Sequence, residues 1–171
     1  MDTLLELIKK RISVRDFSNR EVEQEKLDYI FEAVRLAPSA ANFQPWRFIV
    51  LRTEENRQKL FPAYPRRWFA TAPIYIIACY DKTISWKRSF DNKDHGDVDV
   101  SIAMEHLCLA AAEQGLGTCW ICHFDPAICR QVLNLPEELE ITAITPLGYP
   151  AKEIAATTPR KNREEIVQFI D

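Results

Sequence analysis

Glycine is scarce, with four residues in 171. They form neither G-x-G-x-x-G nor G-x-x-x-x-G-K-[ST], so no backbone cradle for a phosphate is encoded and a bound phosphate would need side-chain cations. The G-x-S-x-G elbow and the H-E-x-x-H pair are also missing, which removes the usual support for hydrolase chemistry. Long apolar runs are lacking. The most apolar stretch, Ala72 to Tyr80, falls far short of the roughly 20 residues that cross a bilayer, and no membrane partner is expected. Nor is there an excess of one charge: 22 Lys and Arg against 25 Asp and Glu leave a net charge of -3, the wrong sign to attract nucleic acid.

The chain starts MDTLLELIKKR, with Asp2 ahead of the apolar residues and the basic residues behind them, the reverse of a secretory signal. Five cysteines, an odd number, then fit a reducing cytoplasm better than a disulfide framework. The length suits one domain spanning residues 1–171. No repeat or linker divides it.

What is present alternates between helical and strand periods. Leu4, Leu5, Leu7 and Ile8 predict a first helix ending near Arg11, and Leu27, Ile30, Phe31 and Val34 predict a second that Pro38 stops. Trp46 to Leu51 reads as a strand, Thr53 as the cap of a helix through Leu60, and Pro73 to Tyr80 as a buried strand. Asp81 to Asp97 has no period and is expected to be a flap or surface loop. Asp99 to Gln114 predicts a central buried helix ended by Gly115 and Gly117. Strands are expected at Thr118 to Cys122 and Ile141 to Leu147, separated by a helix that Asp125 caps and Pro126 starts. The order is that of an α+β fold.

Cations gather at Arg11 and Arg15, flanking Ser13, and at Arg160, Lys161 and Arg163 near the C-terminus. Arginine's planar fork suits phosphate oxygens, although either cluster alone reads more readily as solvated surface. Four longer strings carry a resemblance: RISVRDF (Arg11 to Phe17), APSAANFQPWRF (Ala37 to Phe48), DVSIAMEHLCLAAAEQGLGTCWI (Asp99 to Ile121) and PLGYPA (Pro146 to Ala151). In this order they resemble the successive signatures of the nitroreductase family.

The resemblance implies a central mixed, mainly antiparallel sheet flanked by helices, in an interlocked homodimer with FMN in two clefts at the interface. It implies that Arg11, Ser13 and Arg15 hold the flavin phosphate and the electron-rich ring edge. Pro38, Ser39, Asn42 and Gln44 would line the flavin, partly from the opposite subunit. Trp120, Ile121 and Cys122 would meet the hydride-accepting nitrogen, and Arg160 with Lys161 would close on the phosphate.

The implied activity is transfer of hydride from NADH or NADPH, through the flavin, to a nitroaromatic, quinone or similar small-molecule oxidant in a ping-pong cycle. Flavin chemistry asks the protein for position and electrostatics, so no catalytic nucleophile is assigned. Phe43, Trp68, Phe69, Trp86 and Phe124 are expected as aromatic walls of the substrate pocket. Phe43 would narrow the substrate face, and Arg66 with Arg67 would favour a 2'-phosphate on the nicotinamide donor.

Rival readings remain beside this one. CWICH, Cys119 to His123, matches the C-x-x-C-H pattern of covalent haem attachment, although that chemistry belongs to an exported compartment. Cys119, Cys122, His123 and Cys129 lack the spacing of a structural zinc site and read as small buried hydrophobes. His106 reads as a satisfied core histidine, and Asp99 and Glu105 as capping or interface groups. A non-catalytic module that stores or senses FMN is the alternative of a different class.

Overall fold

A computed structural model describes residues 3–153 and 158–170. Helix α1 (Leu4–Lys10) opens with a capping box: Thr3 Oγ1 accepts from the Glu6 N–H while the Glu6 carboxylate accepts from the Thr3 N–H. The apolar stripe read from sequence is there, yet α1 buries none of it; Leu4, Leu5 and Ile8 are 66 %, 60 % and 47 % exposed. Helix α2 (Gln24–Arg35) instead buries Leu27, Ile30 and Val34 and ends three residues before Pro38.

The sheet has the order β1 (Trp46–Leu51), β2 (Ile74–Asp81), β4 (Leu139–Gly148), β3 (Gly117–Thr118), and every neighbouring pair of strands is antiparallel. Its parallel contribution is a single bridge from Ser13 to Thr118 at the β3 edge. Strand β2 is apolar and buried from Ile74 to Tyr80 because both its faces are covered. Ile74, Ile76, Ala78 and Tyr80 point to one core with α2 and helix α4 (Gly96–Glu113), whereas Tyr75, Ile77 and Cys79 point to another with Leu60 and Phe69.

Helix α4 begins at Gly96, three residues earlier than its periodicity suggests. A Cβ at Gly96 would lie 2.1 Å from the Tyr80 ring, so glycine lets the helix start directly on that ring. Helix α3 (Glu54–Leu60) is capped by Thr53 and helix α5 (Pro126–Leu133) by Asp125, as expected. The flap has internal order: Lys87 bridges to Asp94, the Ser85 hydroxyl donates to Asp94 at 2.7 Å, and Trp86 meets the His95 ring edge-on.

The strand expected at Thr118 to Cys122 is interrupted. The Cys119 N–H donates to the Thr145 hydroxyl at 3.2 Å rather than to a backbone carbonyl, and pairing resumes only at Ile121 with Ile144. All five cysteines are free, and among the described residues no helix is long and apolar enough to cross a membrane.

A polar clasp joins the start of α2 to the end of β4. The Tyr149 hydroxyl donates to Glu23 at 2.6 Å, and the Arg20 guanidinium lies 3.8 Å from the centre of the Tyr149 ring. The Tyr149 hydrogen bond, with a backbone bond and Arg20 behind it, pulls the Glu23 carboxyl from 4.5 down to about 2. A depressed carboxyl stabilises the fold above its unfolded value, and that contribution is lost as pH falls towards the folded one. Glu23→Gln is therefore expected to be less stable than the wild-type chain at neutral pH, with the gap closing between pH 4.5 and about 2. Urea melts across that range check it; a gap that stays constant with pH refutes the clasp.

Candidate functional site

The basic segment leaves α1 and lies flat on the β3 edge. The Val14 N–H donates to Thr118 O at 2.8 Å, and a Cβ at Gly117 would come within 2.5 Å of the Val14 side chain. Only a glycine admits this approach. The contact sets Ser13 and Arg15 beside the segment from Cys119 to Cys122. Burial pushes the Cys119 thiol up, with Arg15, Ser13 and Arg11 pulling the other way, so Cys119 stays a thiol among cations.

Besides an opening of about 400 Å³ that holds Lys10, Arg11 and Lys152 with Glu153, two clefts gather residues of the basic clusters. One, of about 580 Å³, is lined by Ser13, Arg15, Arg67, Trp68, Thr71 and Lys152, with Asp16 as its one acid. Thr71 ties its walls together: its hydroxyl accepts from the Phe17 N–H at 3.0 Å and donates to Trp68 O at 2.8 Å. The other, of about 360 Å³, brings Arg11 together with Thr158 and Arg160, so members of both basic clusters share one opening. Lys161 is exposed and lines neither. Arg11 also lies 3.9 Å from Glu105, whose carboxyl is pushed up by burial with Arg11 opposing.

The loop from Pro38 to Gln44 is strained. Ala41, Asn42 and Gln44 have φ values of 51°, 58° and 50°, a left-handed conformation that costs most side chains energy. Side-chain bonds help hold it: Asp99 Oδ1 accepts from the Ala40 N–H at 2.9 Å, Ser39 Oγ from the Gln44 N–H at 2.9 Å, and Asn42 Oδ1 from Gln44 Nε2 at 3.0 Å. Asp99 is 2 % exposed, and its Oδ2 has no partner among the described residues. Pro38, Ser39, Asn42, Gln44 and Phe43 line neither cation cleft.

Ile121 is buried by its pairing with Ile144, Trp120 packs half-buried on the α2–α4 core, and Cys122 is exposed. The two cysteines of CWICH therefore differ in access, with Cys119 buried. Among the described residues no three His, Cys, Asp or Glu groups are placed to hold a metal. His106 Nδ1 lies 3.1 Å from Ala33 O, a satisfied core histidine.

The expected aromatic walls separate. Trp68 lines the 580 Å³ cleft, while Phe124 lines a different opening. Trp86 packs in the flap, and Phe43 is half-exposed on the strained loop. Phe69 is a correction: it is fully buried and stacked on Tyr75, because its 3-10 turn points it at β2 rather than outward. The pair Arg66 and Arg67 is split, with Arg67 beside Ser13 and Arg15 and Arg66 facing the opening that holds Phe124. Sequence reasoning missed Arg67, Thr71 and Lys152 as cleft residues and gave Asp99 no chemical role. No spacing marks any of them, since turns and a distant strand end bring them together.

Comparison with known proteins follows the same frame. A nitroreductase family protein from Clostridium difficile superposes with a TM-score of 0.91 at 37 % identity over 98 % of both chains. A second Clostridium difficile structure, an FMN-dependent nitroreductase, gives 0.83 at 29 % identity over 98 % of this chain and 99 % of that one. The FMN reductase [NAD(P)H] of Bacillus subtilis is 29 % identical over 182 residues, 97 % of this chain and 73 % of its own. The family model described as Nitroreductase family matches residues 8–65 and 62–149, which between them include the basic segment, the strained loop and α4. On sequence, fold and the order of these segments alike, this chain belongs to the nitroreductase family.

Proposed function

We propose that the chain is an FMN-dependent oxidoreductase that works as a homodimer in a reducing cytoplasm. The observation that carries this reading is the gathering of Ser13, Arg15, Arg67 and Lys152 in one cleft, with Arg11 and Arg160 in the next. This donor set fits a phosphate and an electron-rich ring edge in a chain with no glycine cradle. FMN supplies hydride transfer, from NADH or NADPH to a nitroaromatic, quinone or similar acceptor in alternate half-reactions.

The chain's own residues bind and orient. Arg11 and Arg160, with Ser13, would take the phosphate. Arg15 and Arg67 would place positive charge at the ring edge where negative charge grows on reduction. Trp68 forms an apolar wall that excludes water. The backbone from Trp120 to Cys122 borders the site.

Two features support the homodimer. The loop from Pro38 to Gln44 lies outside this chain's own cation clefts, as would a loop that serves the cleft of a second copy. The apolar face of α1 and the C-terminal Ile166, Phe169 and Ile170 are exposed, surfaces that a second copy would cover.

The absorption spectrum of the purified protein tests the cofactor. A two-band yellow spectrum with FMN released by acid is expected. A sharp Soret band resisting extraction would revive the CWICH reading, and a colourless protein that fails to take up added FMN would sink the proposal. Oxidation of NADPH with a quinone then separates the enzyme from an FMN store.

A further inference from the structure

Beyond the cation clefts lies another opening, of about 700 Å³, with Tyr64, Arg66, His123 and Phe124 on its walls. We propose that it is an acceptor subsite that recognises the carboxylate of a planar aromatic acid, with Arg66 and His123 holding the anion and Tyr64 and Phe124 the ring. The inference rests on the oxidoreductase reading and names the substrate class of that site.

The opening is built rather than incidental. Its two sides are joined by the bond from the Asp125 N–H to Ala63 O at 2.9 Å. Arg66 is fixed at its base, its N–H donating to Tyr64 O at 2.8 Å and its carbonyl accepting from the Phe69 N–H at 2.9 Å. Tyr64 is held edge-on to Phe69 and to Trp68, at 5.4 and 5.7 Å between ring centres. The Tyr64 ring needs no reordering to receive a planar ligand. The volume falls in the range of pockets that enclose small organic ligands, about 300–1,000 Å³.

The charge points to an anion. Neither the Arg66 guanidinium nor the His123 ring has a hydrogen-bond or ion-pair partner among the described residues, although the chain is acidic overall. The acid on the wall, Asp125, is turned aside: its Oδ1 accepts from the Ala127 and Ile128 N–H groups at 2.9 and 3.1 Å. An arginine with no carboxylate of its own, beside aromatic faces, is suited to a bidentate carboxylate on an aromatic frame.

Position points to an acceptor. His123 follows Cys122 directly, at the end of the segment that starts beside Ser13 and Arg15. Tyr64 and Trp68 meet edge-on, one lining this opening and the other the 580 Å³ cleft. A molecule whose acid sits at Arg66 can therefore extend its ring towards the redox segment.

The test pairs 4-nitrobenzoate with nitrobenzene, using the full chain as purified with FMN and, in parallel series, NADH and NADPH as donors. Arg66→Gln is expected to raise KM for 4-nitrobenzoate about tenfold at unchanged kcat, the signature of lost uniform binding, and to leave nitrobenzene within twofold. Calorimetric titration of 4-nitrobenzoate onto the oxidised protein should show the same tenfold loss without turnover.

Equal effects on both acceptors, or no effect on either, overturn the proposal. A rise confined to KM for NADPH also overturns it, because the anion held would then be the donor's 2'-phosphate. If the wild-type chain turns over neither of these acceptors nor a quinone, the oxidoreductase reading fails. Binding that is lost in Arg66→Gln would still uphold the aromatic-acid site, and no binding by the wild type would reject it.

Discussion

Asp99→Ala is expected to weaken FMN binding at least tenfold, and Asp99→Asn to restore most of it. Asp99 reaches across 59 residues to hold the Ala40 N–H at the head of a loop that contains three left-handed residues. Each such residue costs about 1 kcal/mol or more, so the loop stores roughly 3 kcal/mol. A hydrogen bond to a charged acceptor contributes about 1.5–3 kcal/mol, comparable with that strain. Removing the anchor therefore tips the loop towards relaxed conformations that no longer present Ser39, Asn42 and Gln44 together. Asparagine keeps an acceptor in the same place and should keep the geometry. Flavin fluorescence titration reads the affinity, and circular dichroism confirms that the fold persists; wild-type affinity in Asp99→Ala would show that the loop holds itself.

Phe69→Ala is the largest stability loss we expect from one substitution, about 3–5 kcal/mol. Its ring is fully buried, stacks on Tyr75 at 3.9 Å with an interplanar angle of 15°, and meets Tyr64 and Trp68 edge-on. The Tyr75 hydroxyl donates to Phe69 O at 3.0 Å, and burial pushes that phenol up to about 12. A cavity here unseats all three neighbours, and domains of this size hold only about 5–15 kcal/mol in total. Because Trp68 lines the 580 Å³ cleft, flavin affinity should fall along with the urea midpoint. Phe69→Leu should recover more than half of the loss; a shift below about 1 kcal/mol in the alanine variant would place the weight of this core elsewhere.

The legible parts of the chain were those with a period or a cap. Ile30, Val34 and the alanines of α4 announced their helices, Thr53 and Asp125 their caps, and Pro73 to Tyr80 a buried strand. Side-chain capture of backbone groups was not legible: nothing before Cys119 signals that Thr145, on another strand, takes its N–H. Nor did the stripe of α1 say whether its cover comes from this chain. Arg11, Ser13 and Arg15 were readable through the family strings. Arg67 was misread because two adjacent arginines look alike in sequence, while a tight turn sends them to opposite sides of the Tyr64–Trp68 pair. Phe69 was misread for the same reason: an aromatic residue in a polar stretch resembles a pocket wall until the turn aims it inward.

The uncovered face of α1 has a consequence for how this protein behaves on dilution. If apolar groups such as Leu4 and Leu5 are sheltered by association, folding and flavin uptake both inherit a dependence on protein concentration through mass action. Apparent FMN affinity measured at nanomolar chain would then fall below that measured at micromolar chain, with no change in any residue that touches the cofactor. Cellular abundance would itself set how much of the chain is loaded, making the helix that contributes least to this core a gauge of expression level.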